Sequence, residues 1–66
     1  MEVFERRMRE ILSSRGMTIT KLSEISGITK ATIYCNMRGK NVPNAYTLSK
    51  YADALGVSMD WLYGRE

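Results

Sequence analysis

The chain has 66 residues, 44% hydrophobic and 26% charged, with ten Lys/Arg against seven Asp/Glu for a formal net charge of +3. That length allows one domain with one small core, expected over residues 1–66. One cysteine excludes an internal disulfide, the absence of histidine removes a His/Cys metal cage, and no apolar run approaches membrane-spanning length.

The opening MEVFERRMRE is charged and has no apolar signal core, so the expectation is a soluble, cytoplasmic protein. Residues 2–15 read as an amphipathic helix, with Phe4, Met8, Ile11 and Leu12 in the i, i+4, i+7, i+8 pattern of one buried stripe. Arg6, Arg7, Arg9 and Arg15 fall mostly outside it, and Gly16 supplies the stop. Glu2, Glu5 and Glu10 interrupt the basic residues, so the stripe reads as core and not as a membrane-surface face.

From Thr18 to Gly39 the sequence TITKLSEISGITKATIYCNMRG reads as two short helices joined by a tight turn. Thr18 is a candidate N-cap for the first helix, in which Leu22 and Ile25 share one face. Gly27 falls where that helix must end, because glycine enters a left-handed turn without steric cost. Thr29 offers a second N-cap. Ile33 and Met37 then give the second helix an inward side, and Lys30, Ala31, Tyr34, Cys35 and Arg38 lie outward.

Gly39 to Asn44 is a loop by its turn residues, and Pro43 disfavours helix at Val42. Asn44 can cap a helix from Ala45 to Leu55 that buries Leu48, Leu55 and either Tyr51 or Ala52. Gly56 stops it. Ser58 caps a last helical turn with Met59, Trp61 and Leu62, and Asp60 suits its positive end. No strand-like alternation, repeat or low-complexity segment occurs, so the expected fold is all-α with five helices.

Two short helices around a glycine turn have helix-turn-helix geometry, in which the second helix enters a DNA major groove. The residues resemble the XRE family, the small domains of phage repressors and Cro proteins. Arg15-Gly16-Met17-Thr18 is similar to the family's approach to its second helix, Gly27-Ile28-Thr29 to its turn, and Ile33 to its buried helix position. Arg38-Gly39-Lys40 with Pro43 resembles its exit loop. Leu48 to Ala52, Leu55-Gly56-Val57-Ser58 and Asp60-Trp61-Leu62 resemble its last two helices. The resemblance implies a compact, lambda-repressor-like five-helix domain that binds double-stranded DNA.

Carried over position by position, the resemblance places Thr29, Lys30, Ala31, Thr32, Tyr34 and Cys35 toward base edges and flanking phosphates. Lys30 has the chemistry to donate to guanine O6 or N7, and Ala31 to touch only a thymine methyl. Tyr34 is long enough for a phosphate oxygen. Phosphate contacts are expected from the helix start at Thr18 and Ile19, and from Arg38 and Lys40 around the exit loop, with Asn41 and Asn44 as weaker candidates. Three positions depart from the family pattern. Ile19 stands where Gln is common. Cys35 replaces a longer polar or basic residue, and its thiol can be oxidised, although a lone cysteine without a resolving thiol is usually inert. Asn36 replaces an apolar residue, and can cap, bond locally or face solvent while Met37 supplies the packing. The rotation of that helix is left open.

The charge agrees with a DNA surface. Residues 1–40 hold eight Lys/Arg against four Asp/Glu, whereas residues 41–66 hold two against three. Enzymatic chemistry finds no support: there is no nucleophile–base pair, no glycine-rich phosphate loop and no metal spacing, and no cofactor or small-molecule ligand is implied. The expected function is a sequence-specific transcriptional regulator, a repressor acting as a homodimer on a palindromic operator. The alternative is an antitoxin-type interaction module that also binds its own promoter. Trp61 and Tyr63 carry two readings, closing the bottom of the core or forming the dimer interface.

Overall fold

The computed structural model describes residues 2–40 and 42–65, Glu2 by its backbone alone. Among them there are five helices and no strand: α1 (Glu2–Arg15), α2 (Ile19–Ser26), α3 (Lys30–Met37), α4 (Ala45–Leu55) and α5 (Met59–Leu62). Asn41, the weaker phosphate candidate of the exit loop, lies outside the described residues.

Four of these helices start on the side chains that the sequence nominates. The Thr18 hydroxyl accepts the Lys21 amide at 3.1 Å, and the Thr29 hydroxyl accepts that of Thr32 at 3.3 Å. Asn44 accepts the Thr47 amide at 2.8 Å, and Ser58 accepts that of Trp61 at 2.9 Å. Each cap satisfies an otherwise orphaned amide and is worth about 1 kcal/mol. Helices of eight residues are marginal alone, so their persistence depends on packing.

α1 packs on α3 and α5, α2 on α3 and α4, and α4 on α5. The core they enclose contains Phe4, Met8, Ile11 and Leu12 of α1, Leu22 of α2, Ile28 of the turn and Ile33 of α3. Leu48, Tyr51, Ala52 and Leu55 of α4 and Leu62 of α5 complete it. Tyr51 and Ala52 are both buried, so the choice left open between them resolves as both. The Tyr51 ring lies 5.7 Å from that of Phe4, centroid to centroid, at 51°, within the range of favourable tilted aromatic pairs.

Two expectations need correction. Leu22 is fully buried, but Ile25 is 41% exposed. Positions three apart differ by about 60° around a helix, and the α2 stripe is too narrow to cover both. In α3 the inward pair is Ile33 with Asn36, while Met37 is only half-buried. Asn36 is the one buried polar residue among those described, at 4% exposure.

The turn between α2 and α3 is held more tightly than its glycine alone requires. Gly27 adopts φ +74°, and its amide donates to the Ser23 carbonyl at 3.0 Å. The Ser23 hydroxyl donates to the Ile28 carbonyl and the Ser26 hydroxyl to the Leu22 carbonyl, each at 2.6 Å. Ser26 also accepts the Ile28 amide at 3.2 Å. These bonds and the burial of Ile28 in the core tie the turn to both α2 and the interior.

Candidate nucleic-acid interface

α3 turns one side to the core and the other to solvent. At about 100° per residue, Ala31 and Cys35 lie opposite Ile33. Lys30 and Ala31 are exposed on the first turn. Tyr34 is 46% exposed, and the Arg38 guanidinium lies 5.8 Å from its ring centroid. An Arg stacked on an aromatic face keeps its donors pointing outward along the ring edge. Tyr34 and Arg38 therefore form one flank of α3.

Thr32 stands on the other flank. The Thr29 hydroxyl accepts the Thr32 amide and donates to the Thr32 hydroxyl at 3.0 Å. The two hydroxyls share one hydrogen bond, which leaves the pair one proton to donate outward. Beside Thr32 the segment after the exit loop returns along α3. Ala31, Thr32, Cys35 and Asn36 line a cleft of about 290 Å³ together with Val42, Pro43, Asn44 and Thr47. This cleft explains why Cys35 is half-buried where an outward position would be exposed.

The candidate phosphate contacts flank α3. Thr18 is exposed, with its hydroxyl used by the Lys21 amide. The amides of Ile19 and Thr20 remain as open donors of the first turn of α2. The Ile19 side chain packs on the edge of the core, half-buried. At the other end, the Gly39 amide donates to the Asn36 carbonyl at 3.2 Å and the Lys40 amide to that of Cys35 at 3.1 Å. Gly39 needs its φ of +76° for this closure, and a Cβ there would also meet the Glu5 carboxylate. The result is that Arg38 and Lys40 are both exposed just beyond α3. Thr18, Thr29, Lys30, Ala31, Thr32, Tyr34, Arg38 and Lys40 are thus exposed on α2, α3 and their flanking turns, whereas Ile19 and Cys35 are half-buried.

A family model described as helix-turn-helix matches residues 6–62, which span all but the first few residues of α1 and run to the end of α5. The chain belongs to the XRE-type helix-turn-helix family. It is a DNA-binding regulator of that family. Neither a comparison with curated proteins nor one with solved structures finds a match. In this helix-turn-helix protein, α2 and α3 are the two motif helices, as their residues imply.

Two features escaped the sequence reading. The serine hydrogen bonds behind Gly27 had a visible signal, two hydroxyl residues in the last turn before a glycine. The cleft beside Thr32 had none, because it depends on how the exit loop folds back. Trp61 and Tyr63 are half-buried against the core. The Arg7 guanidinium lies 4.8 Å from the Trp61 ring centroid, and the Tyr63 hydroxyl is 3.5 Å from the Pro43 carbonyl. The most exposed large hydrophobics are instead Tyr46, at 69%, and Val42, at 61%. No helix among the described residues is long and apolar enough to cross a membrane.

Proposed function

We propose that this helix-turn-helix protein is a repressor that reads a palindromic operator as a homodimer and occludes a promoter. The observation that carries the reading is the solvent-facing side of α3 with its C-cap, whose exposed residues Lys30, Ala31, Thr32, Tyr34 and Arg38 have no structural task that requires most of them there. Lys30 is the proposed guanine reader, Ala31 and Cys35 the apolar centre of the strip, and Thr32 and Tyr34 its flanking contacts. Arg38, Lys40 and the amides around Thr18 and Ile19 are the proposed phosphate anchors, which fix orientation without reading sequence. Excess positive charge in residues 1–40 supports the same side of the chain.

One short recognition helix reads few base pairs, so two half-sites about 34–36 Å apart on one DNA face multiply specificity. Trp61 and Tyr63 are the proposed dimer contact, with their unburied edges free for a second copy. The 66 residues act, on this reading, as one DNA-binding domain, in the compartment that holds the DNA. In vitro selection from a random duplex pool tests it directly. An enriched inverted repeat, bound with two chains per duplex, is expected. Enrichment of no sequence would remove sequence-specific reading, and a single half-site bound by one chain would remove the dimer.

A further inference from the structure

The Tyr51 hydroxyl donates to Asn36 Oδ1 at 2.8 Å, a bond with both ends buried that joins α4 to the core side of α3. Tyr51 is a fixed post. It is fully buried, it packs on the Phe4 ring, and Leu48 and Leu55 of the same helix are in the core with it. Burial pushes its phenol up to about 12, so the hydroxyl remains protonated at any pH at which the protein would meet DNA. α3, by contrast, has a weak grip on the core. Ile33 is its only buried apolar residue, and Met37 is half out.

We propose that Asn36 and Tyr51 are a positioning pair that sets the rotation of α3 about its own axis, and through it the sequence preference of the exposed strip. Apolar contact has no direction, so Ile33 holds α3 down without saying which way it faces. A hydrogen bond is directional, and an O–H···O bond works over a range of about 0.5 Å. A roll of about 20° moves a side-chain tip some 5–6 Å from the helix axis by about 2 Å. Such a roll breaks the Tyr51–Asn36 bond. It also carries Ala31 and Cys35, opposite Ile33, equally far across a groove floor where discrimination depends on contact distances. Asn36 lines the cleft beside Ala31, Thr32 and Cys35 as well, so the pin adjoins the strip it orients. A single buried polar group used for register in place of stability has precedent in coiled coils.

The inference rests on the DNA-reading function proposed above, and the two can fail separately. Removing one partner breaks the bond at a buried polar group, whereas replacing both with apolar groups costs much less stability. The test therefore compares wild type, Tyr51→Phe, Asn36→Leu and the double variant. Melting is followed, and binding is measured at one salt concentration to the selected duplex and to a scrambled one. The double variant is expected to fold with a melting temperature near wild type and to hold scrambled DNA within twofold. Its preference for the selected duplex is expected to fall tenfold or more. Full preference in the folded double variant overturns the inference, because α3 would then be oriented by packing alone. A double variant that does not fold also overturns it, since the pair would be a stability element. Wild type without preference on any duplex would instead refute the DNA reading itself.

Discussion

α4 and α3 lie side by side in the chain yet are anchored in opposite ways. α4 buries Leu48, Tyr51, Ala52 and Leu55, a stripe wide enough to fix its position by packing alone. α3 buries Ile33 and Asn36, and leaves most of its surface to solvent. A helix that must present one side to a ligand has less perimeter left for a core. The contrast teaches that two helices of one small fold follow different rules: α4 is held by area, α3 by turns, caps and directional hydrogen bonding at Asn36. The same contrast separates the two ends of α3. Its entry is bound by the serine-locked turn after α2, and its exit by the backbone closure at Gly39 and Lys40.

Breaking the scaffold should have the largest effect. Phe4→Ala opens a cavity among fully buried neighbours and is expected to destabilise by about 3–5 kcal/mol, read as a shift in the urea midpoint. In a domain this small, DNA binding should vanish with the fold; binding that survives would mean α1 is dispensable to the reader. Next comes the shared bond. Tyr51→Phe removes the phenol donor from buried Asn36 and should cost about 1–3 kcal/mol at neutral pH. Its pH signature follows from the raised phenol. The folded state holds the proton to about pH 12 while the unfolded chain releases it near 10. Above pH 10 the unfolded state therefore binds fewer protons, and stability falls as pH rises through that window. Below pH 10 this group contributes no slope. Tyr51→Phe should flatten the alkaline limb, and an unchanged limb would assign it to other groups.

The turn sharpens the comparison from the side of α2. A Cβ at Gly27 would meet nothing within 4 Å, so a substitution there is opposed by φ alone. Gly27→Val is expected to cost at least about 1–2 kcal/mol, with binding lost in proportion to the unfolded fraction. Unchanged melting would mean that the serine bonds carry the turn. The smallest effects on stability belong to the reader's surface. Lys30→Ala, Arg38→Ala and Lys40→Ala should each change stability by less than about 0.5 kcal/mol. On DNA they should diverge. Lys30→Ala should lose about 1–3 kcal/mol of discrimination at one base pair. Arg38→Ala and Lys40→Ala should weaken all duplexes alike, and each should reduce the log–log salt slope by about 0.9. A Lys30 variant that weakens every duplex equally would reassign it to a phosphate.

What the sequence determined by itself is local. The four caps, the stops at Gly16, Gly27 and Gly56, and the stripes of α1 and α4 depend on neighbours within one or two turns, and the side chains that make them are visible in one dimension. Lys30, Arg38 and Lys40 could be placed outward for the same reason. Only the tertiary structure decided which way α3 faces. Its pattern offered Met37 or Asn36 as the inward partner of Ile33, and periodicity favoured the methionine. The choice fell to Asn36 because a tyrosine fifteen residues away brings a buried hydroxyl that requires an acceptor there. The same distance effect half-buried Cys35, through a segment folding back from Val42 and Pro43, and left Trp61 under the guanidinium of Arg7. Contacts across that much chain depend on how the helices stack, and no period or cap within α3 records them.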